Sequence, residues 1–378
     1  MKSLEPNAIG IMSVIHEGRP PFGLQTYFFE DMVKSVGINA NAFFFFSPLN
    51  WKEGEKSVPG YNYIQDKWEE TEHKIPDIIY DRAFSKEKND KLYLKKVRRY
   101  LSASKKIVLN PLGLTNLLNN KVQFQDFLQE HYISTLRTFS FSNLEEAHFL
   151  DSLMTKSVYV KPIFGSKGEG IYKVEKEDED TYLLHHDDDV IPFESYPPLV
   201  RLLLEKIEHG ENYFIQEEAQ IQLYGNAPFD IRVLVQNYGN DYKVTGKAVR
   251  IGKKYGITSN LNSGGHALPI EGLASFFEEN YSLTLNELHE KIDDLCMNCC
   301  DELRKEYGEF CEIGFDVLIT KDRGQVILEA NAKPSRWVFV KMADYLESVG
   351  KDNSYYLDRR KETVSVPMKY AAFLLSKS

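Results

Sequence analysis

Two apolar runs near the carboxyl end, Gly314-Phe315-Asp316-Val317-Leu318-Ile319 and Val326-Ile327-Leu328-Glu329-Ala330-Asn331, are separated by a short polar turn at Lys321 to Gln325. Runs of this length, rich in Val, Ile and Phe and joined by so short a turn, read as two strands lying side by side. That pairing can bring Asp316, Glu329 and Asn331 together at one end, and Glu329 and Asn331, two residues apart, fall on the same face. The alternative is an acidic pair at the surface of a hairpin. Against it, Asp316 and Glu329 each sit among apolar neighbours, where a carboxylate without a partner is costly. Hard oxygen donors in this pattern suit Mg²⁺, or Mn²⁺ in its place, which takes few protein carboxylates and completes its octahedron with water and nucleotide phosphates.

The chain has 378 residues, enough for two or three modest lobes. Hydrophobic residues make up 42% and charged residues 27%, a balance that buries a core and lies outside disordered compositions. A formal net charge of -10 repels nucleic-acid phosphates and anionic lipid, so neither nucleic acid nor a membrane is expected as a partner. Glu5, Pro6, Asn7 and His16 interrupt the amino-terminal stretch where a secretory signal needs an apolar run, and Ala42 to Phe46 is too short to span a bilayer. A cytoplasmic protein is expected, with a homodimer as the commonest assembly of soluble enzymes. The four cysteines, Cys296, Cys299, Cys300 and Cys311, crowd into one stretch and read as free thiols in a core rather than a disulfide framework or a zinc site.

Strand-like and helix-like segments alternate over the first 110 residues: Asn7 to His16, a Gly-containing segment from Gly18 to Gly23, a helix over Tyr27 to Val36, then strands at Asn41 to Ser47 and Pro76 to Tyr80. The basic run Lys91 to Arg99 reads as one exposed helix face. A helix over Asn119 to Glu130, a strand over Thr135 to Phe141, a helix over Leu144 to Ser152 and a strand over Ser157 to Pro162 follow. The acidic stretch Glu175 to Asp189, with His185 and His186, reads as a solvated loop; a metal cluster is the alternative. Strands are expected at Tyr213 to Gln222, Asp230 to Asn237 and Tyr242 to Gly252, and a long helix over Leu285 to Tyr307. The fold class is therefore α/β (α+β) with three lobes, 1–110, 111–212 and 213–378.

Two further constellations carry chemistry. Lys161 is followed by Gly165-Ser166-Lys167-Gly168-Glu169-Gly170, a glycine-rich hairpin whose backbone can close over phosphates while Lys161 and Lys167 add charge. It lacks the Gly-Lys-Ser/Thr ending of a P-loop and the following helix of a dinucleotide turn, and a plain turn is the alternative. Arg232 in Phe229-Asp230-Ile231-Arg232-Val233-Leu234-Val235 and Arg250 in Gly246-Lys247-Ala248-Val249-Arg250 interrupt strand-like runs, where a guanidinium usually holds a carboxylate or phosphate. Asp230, two residues from Arg232 on the same face, is a candidate structural partner.

The glycine loop, the Asp-Ile-Arg strand and the Asp…Glu-x-Asn pair, in that order, resemble an ATP-grasp protein. The narrower resemblance is to the YheC/YheD endospore coat-associated type, through Ile9-Gly10-Ile11-Met12, Pro76-Asp77-Ile78-Ile79-Tyr80-Asp81-Arg82, Ile257-Thr258-Ser259-Asn260-Leu261 and Glu329-Ala330-Asn331-Ala332-Lys333-Pro334. RimK-type amino-acid ligases share the Asp-Ile-Arg and Ser-Asn-x-x-x-Gly-Gly patterns. The resemblance implies an ATP-grasp fold behind an amino-terminal α/β domain, with Lys121 and Lys161 on the ATP phosphates, Gly165, Ser166, Lys167, Gly168 and Gly170 closing over them, and Gln216-Glu217-Glu218-Ala219 as the hinge near the adenine. It implies Mg²⁺ on Asp316, Glu329 and Asn331, while Arg232, Arg250 and Asn260 face the γ-phosphate, the acyl phosphate and the substrate carboxylate. The activity so implied is ligation of a carboxylate, activated by ATP as an acyl phosphate, to an amine on a small-molecule or peptide substrate. A nucleotide-binding structural protein of the spore coat with weak or no turnover is the alternative, and a kinase without an acceptor amine is a third reading. His266, beside Gly264-Gly265, reads as a base or as a turn histidine.

Overall fold

A computed structural model describes residues 8–16, 21–36, 42–52, 54–141, 157–165, 169–178, 180–187, 189–207, 212–261 and 264–377. The helix expected over Leu144 to Ser152 and part of the segment Gly18 to Gly23 lie outside them.

The first sheet has the order β4-β3-β2-β1-β5-β6, built from β1 (Ile9–Met12), β2 (Phe43–Phe46), β3 (Ser57–Ile64), β4 (Lys67–Lys74), β5 (Ile78–Asp81) and β6 (Ile107–Val108). β1 runs parallel to β2 and β5, and β5 to β6, while β3 and β4 form an antiparallel hairpin at the edge. The four phenylalanines of β2 alternate between the two faces: Phe43 and Phe45 pack with Phe29 of α1 (Thr26–Ser35), and Phe44 and Phe46 with Leu94 and Val97 of α2 (Lys88–Ala103). A parallel sheet covered on both faces produces such an unbroken apolar run.

The middle sheet, β11-β10-β9-β8-β12-β7, joins β7 (Thr138–Phe141), β8 (Ser157–Pro162), β9 (Tyr172–Lys176), β10 (Tyr182–His186), β11 (Asp189–Phe193) and β12 (Tyr213–Glu217). Leu199 and Leu203 of α5 (Tyr196–Ile207) cover one face. The acidic stretch expected as a solvated loop instead supplies β10 and the start of β11, because Tyr182 and Leu184 alternate inward with His186, which stacks on Tyr172, while Leu183 and His185 take the opposite face.

The third sheet, β15-β14-β13-β16-β17, contains β13 (Phe229–Asn237), β14 (Tyr242–Ile251), β15 (His266–Leu268), β16 (Glu312–Thr320) and β17 (Gly324–Asn331), all neighbours antiparallel. Every residue of β16 is buried. One face packs on α3 (Leu112–Asn119), α4 (Lys121–Glu130) and α7 (Leu285–Tyr307), the last opened by a capping box between Thr284 and Glu287. The other face is covered by α8 (Trp337–Ser348), whose Phe339 ring lies so close to Gly246 that an added Cβ would come within 2.3 Å of it. α6 (Ala274–Tyr281) adds Phe277 to the larger core. α9 (Ser354–Lys377) returns to the first sheet with Met368, Tyr370 and Ala371.

The lobe boundary expected at 212 falls just before β12, whose partners β7 and β8 belong to the middle sheet, and α3 and α4 pack in the core of the third sheet. Cys296, Cys299, Cys300 and Cys311 are free and fully buried. Among the described residues no helix is long and apolar enough to cross a membrane.

Candidate nucleotide and metal site

A cleft of ≈ 2260 Å³ is lined by residues of the middle and third sheets and by segments that flank the first, among them Gln25 and Arg82. Its floor follows from the register of the third sheet. Asp230 lies opposite Arg250, Arg232 opposite Asp316, and Asp316 opposite Glu329, so these side chains share one face across four strands. Arg250 donates from Nε and Nη2 to the two oxygens of Asp230 at 2.6 and 2.5 Å, and its Nη2 also lies 2.7 Å from Asp316 Oδ2. Arg232 donates to the two oxygens of Asp316, with Nη2 at 3.1 Å from Oδ2. Arg232 therefore pairs with Asp316 rather than with Asp230, because a residue directly across a strand pair is nearer than one two positions along the same strand. Ser259 completes the ladder by donating to Asp230.

The register slips between Asp316 and Val317, leaving Leu328 as an extra residue in β17. Ile327 stays in the core opposite Val317, whereas Glu329, two residues on, comes to face Asp316. The carbonyls at the bulge are held from outside: Ile327 O accepts from Thr135 Oγ1 at 2.9 Å and Leu328 O from Gln125 Nε2 at 2.7 Å.

Burial alone would raise the Asp316 carboxyl, but Arg232 and Arg250 outweigh it and hold the group well below the ordinary range. Glu329 goes the other way, raised by burial and by the neighbouring Asp316, with which it shares a hydrogen bond. The two carboxylates are thus joined by one hydrogen bond, with Glu329 the readier of the two to hold the shared proton. Asn331 Nδ2 is buried without a hydrogen-bond partner among the described residues. Two carboxylates and an amide that can offer its oxygen, together at a polar cleft, fit a hard divalent cation that displaces the shared proton. Among the described residues no three His, Cys, Asp or Glu side chains group where they could hold a metal ion.

Lys161 enters the cleft from β8 and donates to Gln216 Oε1 at 2.7 Å. Burial, and then the charge of Lys121, bring its ammonium down to about 8. Lys121, the first residue of α4, lies 3.4 Å from the carbonyl of Pro162. Two mutually repelling ammonium groups bordering one cleft form a site for an anion. The glycine hairpin joins β8 to β9, with Gly165 and Gly170 at φ of +140° and +72°, where other residues would be strained; Ser166, Lys167 and Gly168 lie outside the described residues.

In the hinge, Glu217 is engaged rather than free: burial would raise it, but hydrogen bonds from Arg323 and Arg137 bring it down to about 2. Glu218 accepts from Ser157 and pairs with Lys173 at 2.9 Å. Ala219 and Ile221 pack with Leu136, Leu318, Val326 and Leu328 into an apolar cluster that borders the cleft. Sequence reasoning missed the aliphatic members of this slot; the signal was Leu318 two residues after Asp316, on the same face. Asn260 borders the cleft, while His266 lies on β15 against the Tyr345 ring and outside the cleft lining.

The profile of the YheC/D-like ATP-grasp family matches residues 105–374. Over 324 residues the chain is 26% identical to the endospore coat-associated protein YheC of Bacillus subtilis (strain 168), covering 84% of this chain and 83% of YheC. Among solved structures, D-alanyl-alanine synthetase A from Vibrio cholerae superposes with a TM-score of 0.54 at 11% identity, over 96% of this chain and 99% of that one. The ATP-grasp ligase PsnB, solved with a precursor variant, Mg and ADP, gives a TM-score of 0.50 at 13% identity, over 94% and 98%. The fold is that of ATP-grasp proteins, and the chain belongs to the YheC/D-like ATP-grasp family.

Proposed function

We propose that this chain is an ATP-dependent carboxylate–amine ligase. The observation that carries the reading is the donor set Asp316, Glu329 and Asn331, with Glu329 raised beside Asp316, facing a cleft also bordered by Lys121 and Lys161. Asp316, Glu329 and Asn331 would hold Mg²⁺ or Mn²⁺, which supplies charge neutralisation at the nucleotide phosphates. Lys121 and Lys161 neutralise phosphate oxygens beneath the Gly165 to Gly170 loop, and the apolar slot of Leu136, Leu318 and Leu328 takes the adenine beside the hinge Gln216 to Ala219. Arg232 and Arg250, each fixed in its plane by two hydrogen bonds to a carboxylate, orient the reacting groups with Asn260. A substrate carboxylate attacks the γ-phosphorus as the bond to ADP breaks. An amine then attacks the acyl carbon, phosphate leaves and the amine gives up a proton. No protein nucleophile is required, because the work is positioning and charge stabilisation.

The endospore-coat association of YheC favours a second reading, a coat-associated protein that binds nucleotide without turning it over. The full chain incubated with Mg-ATP and pools of amino acids and short peptides separates these. Release of ADP with a ligated mass supports the ligase; thermal stabilisation by ATP without ADP supports binding alone. A stable phosphorylated product marks a kinase, and absence of both ADP and ligated mass across the pools sinks the ligase reading.

A further inference from the structure

In the first sheet the chain leaves β1 toward β2 on one side, and leaves β5 toward β6 on the other. Connections thus diverge between neighbours β1 and β5, and in open parallel sheets ligands sit in the crevice outside the carboxyl ends of such strands. Ser13 follows β1 and Arg82 follows β5. Gln25 bridges the two, its Nε2 donating to Ser13 Oγ at 3.1 Å and to the Arg82 carbonyl at 3.3 Å.

Arg82 is 9% exposed and borders the cleft. Its Nε and Nη1 have no hydrogen-bond partner among the described residues; the nearest acid, Glu312, is 3.5 Å from Nη1. Glu312 is already engaged by Tyr80, Gln236 and both terminal nitrogens of Arg336. Arg336, 3% exposed, also has an Nε without a partner there, and both guanidinium groups approach the Phe28 ring, at 5.1 and 5.6 Å. Nearby, Lys333 and Arg98 share Asp81, each at 2.7 Å. Four cations therefore face two carboxylates, four minus two leaving an excess of two, in a chain whose net charge is -10. A buried, under-paired guanidinium is costly unless an anion joins it, and its planar fork matches a carboxylate. Leu24, Tyr27 and Phe84, exposed by 95%, 66% and 56%, border the same cleft and offer apolar contact.

We infer that this crevice binds a free carboxylate of the substrate, remote from the reacting group, with Arg82 as its main partner; the substrate class is an amino acid or peptide with a free carboxyl end and an apolar body. The identity of the occupant rests on the ligase reading, whereas the anion subsite rests on Arg82 and its surroundings.

The test uses the full chain with Mg²⁺ and a non-hydrolysable ATP analogue, followed by calorimetry and thermal shift. The probes are a pool of common amino acids and alanyl dipeptides as free acids and the same compounds as carboxyl amides. The free acids should bind at least about tenfold more tightly than the amides, a gap of roughly 1.4 kcal/mol. Arg82→Met should abolish that preference without changing affinity for the nucleotide analogue, and Arg82→Lys should retain part of it. Equal binding of the two pools, no binding of the acids, or a preference that survives Arg82→Met would overturn the subsite. Should Arg82→Met not fold, the comparison on the unaltered chain and on Arg82→Lys decides. ADP formation from ATP in the same pools is read separately. Acid preference without ADP upholds the subsite and defeats the ligase reading; ADP formed equally with amides defeats the subsite alone.

Discussion

Glu312 and Glu329 lie on adjacent strands of one sheet, the first fully buried and the second half-buried at the cleft, and their surroundings drive them in opposite directions. At Glu312 burial works to raise the carboxyl, yet Arg336, Arg82 and the Tyr80 hydroxyl leave it below its ordinary range. Its oxygens, with the Thr363 carbonyl that accepts from Gln236 and Arg336, tie β5, β13 and α9 into one joint. At Glu329 burial is reinforced by the charge of Asp316, and the carboxyl is raised. A buried acid saturated by donors is a fastening, whereas one raised by a neighbouring carboxylate at a cleft is suited to receive a cation.

The largest effect expected from this contrast is on stability. Glu312→Gln strands Arg336 and Arg82 without their counter-ion and should cost about 3–5 kcal/mol in urea unfolding. A loss below roughly 1 kcal/mol, the level of an exposed ion pair, would erase the distinction between the two acids. Glu329→Gln should leave the unfolding midpoint unchanged or raised, since it removes a carboxyl whose ionisation burial and Asp316 both oppose, while ADP formation falls by about 100-fold or more. Retained turnover would mean that Glu329 does not serve the nucleotide.

The smallest effect concerns pH. Glu329 has a folded pKa raised above its unfolded one, so the ligand-free native state binds the extra proton. Its stability contribution therefore falls as pH rises from the ordinary glutamate range to the raised value. Glu312 acts oppositely: its contribution is full above the ordinary range and is lost as acid titrates through its lowered pKa. Added Mg²⁺ should increase the melting temperature more as pH rises through the Glu329 transition, and Glu329→Gln should abolish that trend. Melting curves at a series of pH values, with and without Mg²⁺, check it; a pH-independent Mg²⁺ effect in the unaltered chain would break the shared-proton account.

What the sequence made legible was local. The strands carrying Asp316, Glu329 and Asn331, the hairpin flanking the glycine loop and the helix Leu285–Tyr307 follow from periodicity within a few residues. The partner of Arg232 was not legible, because cross-strand register is set by tertiary pairing, and Asp230 was the nearer acid only along the chain. The hairpin β3–β4 escaped notice because Lys67–Lys74 is almost wholly polar, with only His73 buried. The joint at Glu312 unites Tyr80, Gln236 and Arg336, and the first is separated from Glu312 by 232 positions, beyond any local pattern.

The extra residue at Leu328 gives β17 two phases. Before it, odd-numbered Ile327 points into the core that also holds Cys296 and Cys300; after it, Ala330 does so, and Glu329 and Asn331 turn to the cleft. Pairing the same residues without the bulge would carry one phase through, sending two oxygen donors among thiols and aliphatic chains and bringing an alanine to the phosphates. The irregular pairing of β17 is thus itself a chemical constraint, one that a comparison of residue types alone would overlook.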